Sequence, residues 1–508
     1  MENSNSSRLA KNTFLLTIRM LFLMAINLYT SRILLNALGV EDYGIYNVVG
    51  GIVTMFSVIS GSITAAISRF ITFELGKGDN KRIQQVFSSA VIIQLLLSFI
   101  IFILLETIGL WFLNNYMNIP ENRINASNWV FQFSTITFII NLVSVPYNAA
   151  IIAHEKMSAF AYVSLYEGIS KLLITFLILV SPIDTLVFYA LALCLLSISV
   201  RFIYGFYCKR NFDECILIKE WNASLIRKMF GFAGWNFIGA ASGILRDQGG
   251  NIIINIFCGP TANAARGIAY QVNNAVQSFL SSFTTSLNPQ ITKSYAQGNT
   301  EYMMKIIFNG SKFSFYIIFM LSLPIFIKTE YIVNLWLGQS PEHTINFIRL
   351  VLILTMSESI SIPLVTAMLS TGNIKRYQII VGGLNTLNLP ISGIALWYGC
   401  RPEAVFIIAI TISQLCLYAR LYLLRGMINL NAKKFINKVL CRLLIVSFVS
   451  SVFPIVISKY FMDNSFIHFL LLSSICLCIS SSAIWFIGVN KSDRGVIVEK
   501  IAKIKKRF

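Results

Sequence analysis

The chain has 508 residues, 56% of them hydrophobic and 12% charged, about half the charge of a soluble domain. Its 41 Lys and Arg outweigh 22 Asp and Glu, leaving a net charge of +19. That excludes a soluble enzyme and a nucleic-acid partner, since nucleic-acid binding calls for a soluble basic domain with aromatic or groove-reading elements; the expected class is an all-α integral membrane protein.

A helix needs about 20 apolar residues to cross a bilayer, and runs of that length between polar, turn-rich breaks number about 14. In chain order they fall near 13–37, 44–69, 86–110, 128–151, 158–180, 185–207, 229–256, 266–289, 307–327, 346–370, 377–398, 403–424, 439–460 and 466–488. The N-terminus MENSNSSRLAKNTF is polar. The span behind it is too long for a signal-peptide core and shows no small-residue cleavage site, so it is expected to be retained. With both ends in the cytoplasm, about 28 of the 41 Lys and Arg lie on the cytoplasmic side, about 6 outside and about 7 within spans, which supports an even number of spans. The tail KSDRGVIVEKIAKIKKRF carries Lys500, Lys503, Lys505, Lys506 and Arg507, whereas the outer turn 39–43 carries only acids. The positive charge is therefore mostly topology, with some attraction to anionic headgroups.

The nine cysteines are scattered and the three histidines, His154, His343 and His468, lie far apart. Neither a disulfide framework nor a metal site is expected. No P-loop, G-x-S-x-G or H-E-x-x-H motif occurs.

A shift of 220 positions aligns Gly39 with Gly259, Thr64 with Thr284, Ile71-Thr72 with Ile291-Thr292, and Gly78-Asp79 with Gly298-Asn299. The second span carries Asn47, Thr54, Ser57, Gly61, Thr64 and Ser68 on one helical face, and the shift carries that face to Gly267, Asn274, Gln277, Ser281, Thr284 and Asn288 in the eighth. Such stripes serve as packing seams or as the wall of a polar cavity. In the eighth span, Asn274, Gln277 and Asn288, continued by Tyr270 and Arg266, are too bulky for a seam and too polar for lipid. Both stripes end in a Gly-Asp/Asn turn where Asp79 or Asn299 can cap the next helix. A shift of six spans keeps the two copies in the same sense, a parallel repeat whose polar faces point to a central cavity.

At these residues the chain resembles a known family. The stretch LGVEDYGIYNVVGGIVTMFSVISGSITAAISRFITFELGKGD, with its turn Leu38, Gly39, Tyr43, Gly44, Tyr46 and its closing loop Gly76, Gly78, Asp79, is similar to the start of Wzx-type flippases. These form the polysaccharide-transport branch of the multidrug/oligosaccharidyl-lipid/polysaccharide exporter superfamily. RGIAYQVNNAVQSFLSSFTTSLNPQITKSYAQGN resembles the matching region of their second half. The resemblance implies two pseudo-symmetric six-helix lobes in a V, MATE-like, over 1–207 and 229–424. It adds a cytoplasmic inter-lobe loop 208–228, two further spans within 425–488 and a basic cytoplasmic tail 489–508. The implied activity is alternating-access transfer of undecaprenyl-pyrophosphate-linked sugar repeat units across the bacterial inner membrane, for surface polysaccharide such as O-antigen or capsule. This is not an enzyme's work and needs no bound cofactor, though a Na+ or H+ gradient can drive it. Polymerase and glycosyltransferases of the same pathway are the partners implied. The alternative on this fold is a cation-coupled multidrug exporter, which favours a carboxylate in the core of span one; Arg19 stands there, and no acid. A membrane glycosyltransferase needs acidic catalytic residues or a large extramembrane loop, and the 208–228 loop is too short.

A lipid pyrophosphate crossing about 30 Å of hydrocarbon needs a polar lining, with Arg suited to bidentate phosphate contact. Arg19 shares a side with Asn12, Asn27 and Thr30 and can face a cavity or snorkel to the headgroups. Arg32 is expected to snorkel, and Arg69 and Arg420 to act as topological anchors. Glu167 and Lys171 are four apart in the favourable order and can pair. Arg246 and Asp247 are adjacent, about 100° apart on a helix, so they need not neutralise each other. Glu358, among Ser357, Ser359 and Ser361 and followed by Pro363, reads as a lone buried carboxylate and a proton-coupling candidate. By resemblance only, an ion-coupling set would join Asp247 to Asn385 or Asn388. The substrate-binding candidates are thus Arg19, Asn27, Arg246, Arg266, Tyr270, Asn274, Gln277 and Asn288.

Overall fold

The computed structural model describes residues 2–54, 57–116, 119–216, 223–337, 341–460, 465–489 and 494. Every regular element among them is a helix. In chain order these are α1 (Glu2–Thr54), α2 (Ser57–Lys77), α3 (Asn80–Asn115), α4 (Glu121–Ala153), α5 (Met157–Val180), α6 (Thr185–Asn211) and α7 (Ala223–Ala296). There follow α8 (Thr300–Ile327), a short α9 (Thr329–Leu337), α10 (Thr344–Thr371), α11 (Lys375–Trp397), α12 (Ala404–Ile428), α13 (Ala432–Ser458) and α14 (Phe466–Gly488). Ten of these helices, α3 to α6, α8 and α10 to α14, are long and apolar enough to cross a membrane. The four other expected spans fall within α1, α2 and α7. The basic tail lies outside the described residues, apart from Arg494.

Hydroxyls inside the spans bond back to the carbonyl one turn earlier, as Thr72, Ser144, Ser164, Thr175 and Thr355 do. Hydrocarbon offers these groups no water, so the helix itself satisfies them.

Helical geometry runs through the expected outer turn 39–43 and through the expected break between the seventh and eighth spans. The long α7 is nevertheless folded back on itself. Arg266 Nη2 donates to the main-chain oxygen of Asp247 at 2.7 Å, whereas 19 residues of straight helix would separate them by about 28 Å. The chain therefore reverses between the two, as the pair of predicted spans requires. The sequence gives no warning of α9, nine residues long and too short to cross, whose Tyr331 ring lies 5.8 Å from that of Phe469 in α14.

The chain divides into two compact units. One is Asn12–Phe237, and the other is Ile238–Phe508 together with Met1–Lys11. In the first, α5 runs parallel to α1: Asn12 donates to the carbonyl of Glu155, Arg19 meets Ser164, and Tyr29 meets Phe176. The start of α7 belongs to the same unit, where Phe232 packs edge-on against Phe70 of α2. In the second unit α7 runs beside α11. A Cβ on Gly239 would fall 2.0 Å from Gln378 Oε1, and one on Gly249 2.3 Å from Leu389 Cδ1. The last span packs on α8 through Phe319, Leu323, Leu472 and Cys476, and Ile457 of α13 packs against the same cluster.

The repeat survives in local geometry. Gly78 and Gly298 both take left-handed backbone, at φ +77 and +71, which only glycine adopts without strain. Asp79 then accepts from the Arg82 amide at 3.0 Å, and Asn299 from the Tyr302 amide at 3.1 Å. Both expected caps are therefore formed.

Candidate functional site

Three charged side chains meet where α7 packs against α10. Arg246 donates from Nε to Asp247 Oδ1 at 3.0 Å and from Nη1 to Glu358 Oε1. Its side chain is 19% exposed, while those of Asp247 and Glu358 are 43% and 31% exposed. This corrects two expectations. Glu358 is no lone acid, because the fold delivers a cation from another helix, which linear spacing cannot show. Asp247 and Arg246 do neutralise each other, because the long arginine stem curls round the 100° between neighbouring residues.

Glu358 sits beside a break in α10. Its helix ends at Ser359 and resumes at Ile362, with Pro363 in the new first turn, so the kink expected at Pro363 is present. The Ser361 amide donates to the Glu358 carbonyl at 2.9 Å. Ser357 meets Ser413 of α12 at 2.8 Å and accepts from Gln414.

Arg266 is placed differently from its expected role in a wet cavity. It is 5% exposed and holds the two arms of α7 together, with its second acceptor the Tyr270 hydroxyl at 3.2 Å. Its guanidinium lies 4.5 Å from the Tyr270 ring centroid and 5.6 Å from that of Phe406, a packed cation–π arrangement. Further along the predicted face, Asn274, Gln277 and Ser281 are exposed, Tyr270 and Thr284 half-buried. Asn288, at its end, accepts from Thr366 at 2.8 Å, and the neighbouring Asn273 is buried, accepting from Thr355. The face is thus open in its middle and tied into packing at both ends.

In the N-terminal unit, Arg19 donates to Ser164 Oγ at 3.2 Å and lies 4.5 Å from the Phe160 ring centroid, while Asn27 is exposed. The expected Glu167–Lys171 pair forms at 2.6 Å with both side chains about two-fifths exposed. Arg69 stacks on Phe70 and Phe73. The side chain of Arg32 lies outside the described residues, as do those of Asn47, Thr54 and Ser57 in the second-span stripe.

The α7–α11 packing brings Asp247 level with Asn385 and Asn388, which flank a break in α11 at Leu387. The hydrogen bonds run elsewhere: Asn385 Oδ1 accepts from Cys416, and Asn388, 1% exposed, accepts from Ser392. Among the described residues no group of three or more His, Cys, Asp and Glu could hold a metal ion.

Two clamps that linear inspection missed tie helix starts together. In the N-terminal unit Arg123, in the first turn of α4, bridges Asp184 at 2.5 Å and Asp42. Asp184 also caps α6, accepting from the amides of Leu186 and Val187. In the other unit His343, before α10, meets Glu403, before α12, at 2.8 Å, and Asn346 donates to the same oxygen at 3.0 Å. The 220-residue shift maps Arg123 onto His343 and Asp184 to within one residue of Glu403, so the repeat held the signal. Burial raises the Asp184 carboxyl, but Arg123 and the two amides outweigh it and hold its pKa below the ordinary carboxylate value. Glu403 is likewise lowered: burial works against, and Asn346 and His343 outweigh it. A third pair, His154 with Glu214, is stacked on Phe212 at 4.1 Å between ring centroids.

Against known proteins, the family model described as "Polysaccharide biosynthesis protein" matches residues 9–295. The Bacillus subtilis (strain 168) protein described as "Uncharacterized membrane protein EpsK" is 19% identical over 288 residues, 56% of this chain. The chain spans about half (56%) of that relative's length. Among solved structures, a MATE in the bent conformation superposes with a TM-score of 0.71 at 12% identity, over 84% of this chain and 96% of its own. An outward-facing multidrug resistance MATE family transporter of the MOP superfamily gives 0.70 at 13%, over 82% and 96%. A MOP superfamily transporter from Pyrococcus furiosus, described as having a binding pocket of reverse polarity, gives 0.68 at 14%, over 82% and 96%. The fold is MATE-like, and the molecule is a multi-pass membrane protein.

Proposed function

This chain belongs to the polysaccharide biosynthesis protein family, and from that premise we propose that it is a flippase. Its cargo is a lipid-linked oligosaccharide, a pyrophosphate-bearing polyprenol such as undecaprenol with a sugar repeat unit attached. It moves this cargo by alternating access across the bacterial cytoplasmic membrane for a surface polysaccharide, with both termini in the cytoplasm. The observation that carries this is the arginine at Arg246, within a stretch read as a span yet not fully buried, in the same folded-back helix α7 whose other arm carries the exposed amides Asn274 and Gln277. A guanidinium matches phosphate oxygens, amides match sugar hydroxyls, and the polyprenyl tail needs no polar lining because it stays in lipid. Arg19 offers a second half-buried guanidinium in the N-terminal unit. A cation-coupled exporter of organic cations would not gain from either arginine, since like charge repels such a cargo.

Complementation tests the assignment. Arg246→Ala and Arg19→Ala should abolish surface glycan in a flippase-deficient strain while Arg→Lys retains part of it. Full activity in both alanine variants sinks the proposal. If Asp247 and its neighbours couple a cation, transport in proteoliposomes will follow an imposed sodium or proton gradient.

A further inference from the structure

Resting on that substrate class, we propose that Glu358 is a built-in competitor for the substrate's pyrophosphate at Arg246, and that displacing it takes up one proton and removes the charged tie between α7 and α10, leaving the hydrogen bonds of Asn273 and Asn288 to Thr355 and Thr366 in place. The guanidinium spends Nε on Asp247 and Nη1 on Glu358. Its third nitrogen, Nη2, lies between those two and shares one edge of the fork with each. Each two-nitrogen edge that a pyrophosphate can take in a bidentate contact, Nε–Nη2 or Nη1–Nη2, thus already carries a carboxylate, so binding there competes with one of them.

The two carboxylates are not equivalent. Asp247 is the residue next to Arg246, and its main chain is gripped by Arg266, so losing its contact moves no helix. Glu358 reaches across from α10, at the last turn before the break at Ile360 and Ser361. Exchanging it for phosphate removes the charged tie between α7 and α10 at the point where α10 is already broken. Binding and the loss of that tie become one event.

A freed carboxylate inside a span is costly to keep charged. The groups that act on it are Arg246 and Tyr270 from α7 and Cys416 from α12, and beside those stand Asp247, Arg266 and Arg420. Of the arginines, Arg266 is spent on a carbonyl and two rings, and Arg246 is now held by the substrate. Glu358 is then discharged by a proton from bulk water and not by a move to Arg420, giving the carboxylic acid, while Arg246 keeps its charge opposite the pyrophosphate. When the cargo leaves, the proton returns to water and the pair re-forms.

The test uses the full-length protein in nanodiscs and a short-chain prenyl-pyrophosphoryl-N-acetylglucosamine as probe, whose pyrophosphate diester exchanges no proton near neutral pH. Calorimetry in buffers of different ionisation enthalpy counts protons. Wild type should take up about one proton per probe bound, and Kd should rise by up to about tenfold per pH unit on the alkaline side. Glu358→Gln should lose both the uptake and the pH dependence and bind about tenfold tighter, having lost its competitor. Wild-type binding without proton uptake overturns the proposal even if the Gln variant proves unstable, and so does uptake that persists in that variant. Failure of the wild type to bind the probe at all is a different result, which removes the lipid-pyrophosphate substrate and the competition together.

Discussion

Removing Arg123 tests whether the helix-start clamps hold the bundle together. Arg123 is 19% exposed and faces two carboxylates, Asp42 at 15% and Asp184 at 36%. Breaking a fully buried pair costs about 3–5 kcal/mol because the surviving charge is stranded, whereas an exposed pair contributes below about 1 kcal/mol. Arg123 lies between these limits, and with one acid well shielded and the other a third exposed, Arg123→Ala should cost about 2 kcal/mol. For a unit of this size that is a fall in Tm of roughly 4–8 °C, measurable by intrinsic fluorescence of the detergent-solubilised protein. Adding Asp42→Asn should recover about half of the loss, because it removes the better-buried stranded charge. The pH dependence has a definite sign. Asp184 is depressed in the fold, so its contribution is fully present above the ordinary carboxylate range and fades as pH falls through the folded value. Wild type and Arg123→Ala should therefore converge in acid. A Tm within 1 °C of wild type at neutral pH, or a gap that widens on acidification, refutes the clamp.

Glu403→Gln should lower Tm at neutral pH by an amount equivalent to about 1 kcal/mol, the size of a shielded charge-assisted hydrogen bond. Since Glu403 is also depressed, that deficit should vanish as pH drops below the carboxylate range; a deficit independent of pH would assign the effect to packing. Arg266→Ala should be the more damaging change, about 2–3 kcal/mol, because it takes the donor from the Asp247 carbonyl and the half-buried Tyr270 phenol and removes the strap between the two arms of α7. Arg266→Lys keeps the charge without the planar fork and should recover less than half of that in the same melting assay, whereas full recovery would mean that charge alone is needed there.

What could be read before folding was whatever depends on near neighbours in the chain. Membrane location follows from hydropathy summed over about 20 residues, and each of α3 to α6, α8 and α10 to α14 overlaps the run expected for it, with ends about seven residues off at most. Cap geometry spans three residues, so Asp79 and Asn299 were legible from the Gly-Asp/Asn turns. The kink at Pro363 and the Glu167–Lys171 pair were legible for the same reason. The short α9 was not, because nine residues carry too little hydropathy signal to stand out from a loop.

Partnerships between helices belong to the tertiary structure alone. Sequence spacing set Glu358 apart as a solitary acid, and only the packing of α10 against α7 shows that Arg246, 112 positions away, is its counter-ion. Helical periodicity put Arg266 on the same face as Asn274 and Gln277, but periodicity gives direction and not depth, and the fold-back of α7 buries it. The clamps at Arg123 and His343 join residues about 60 apart in the chain, and the repeat encodes them only as two pairs of positions, a basic side chain and a carboxylate in each, whose contact no local pattern shows. Charge in a membrane span can be counted from the sequence; which charge answers which is decided by the helices that the hydrocarbon forces together.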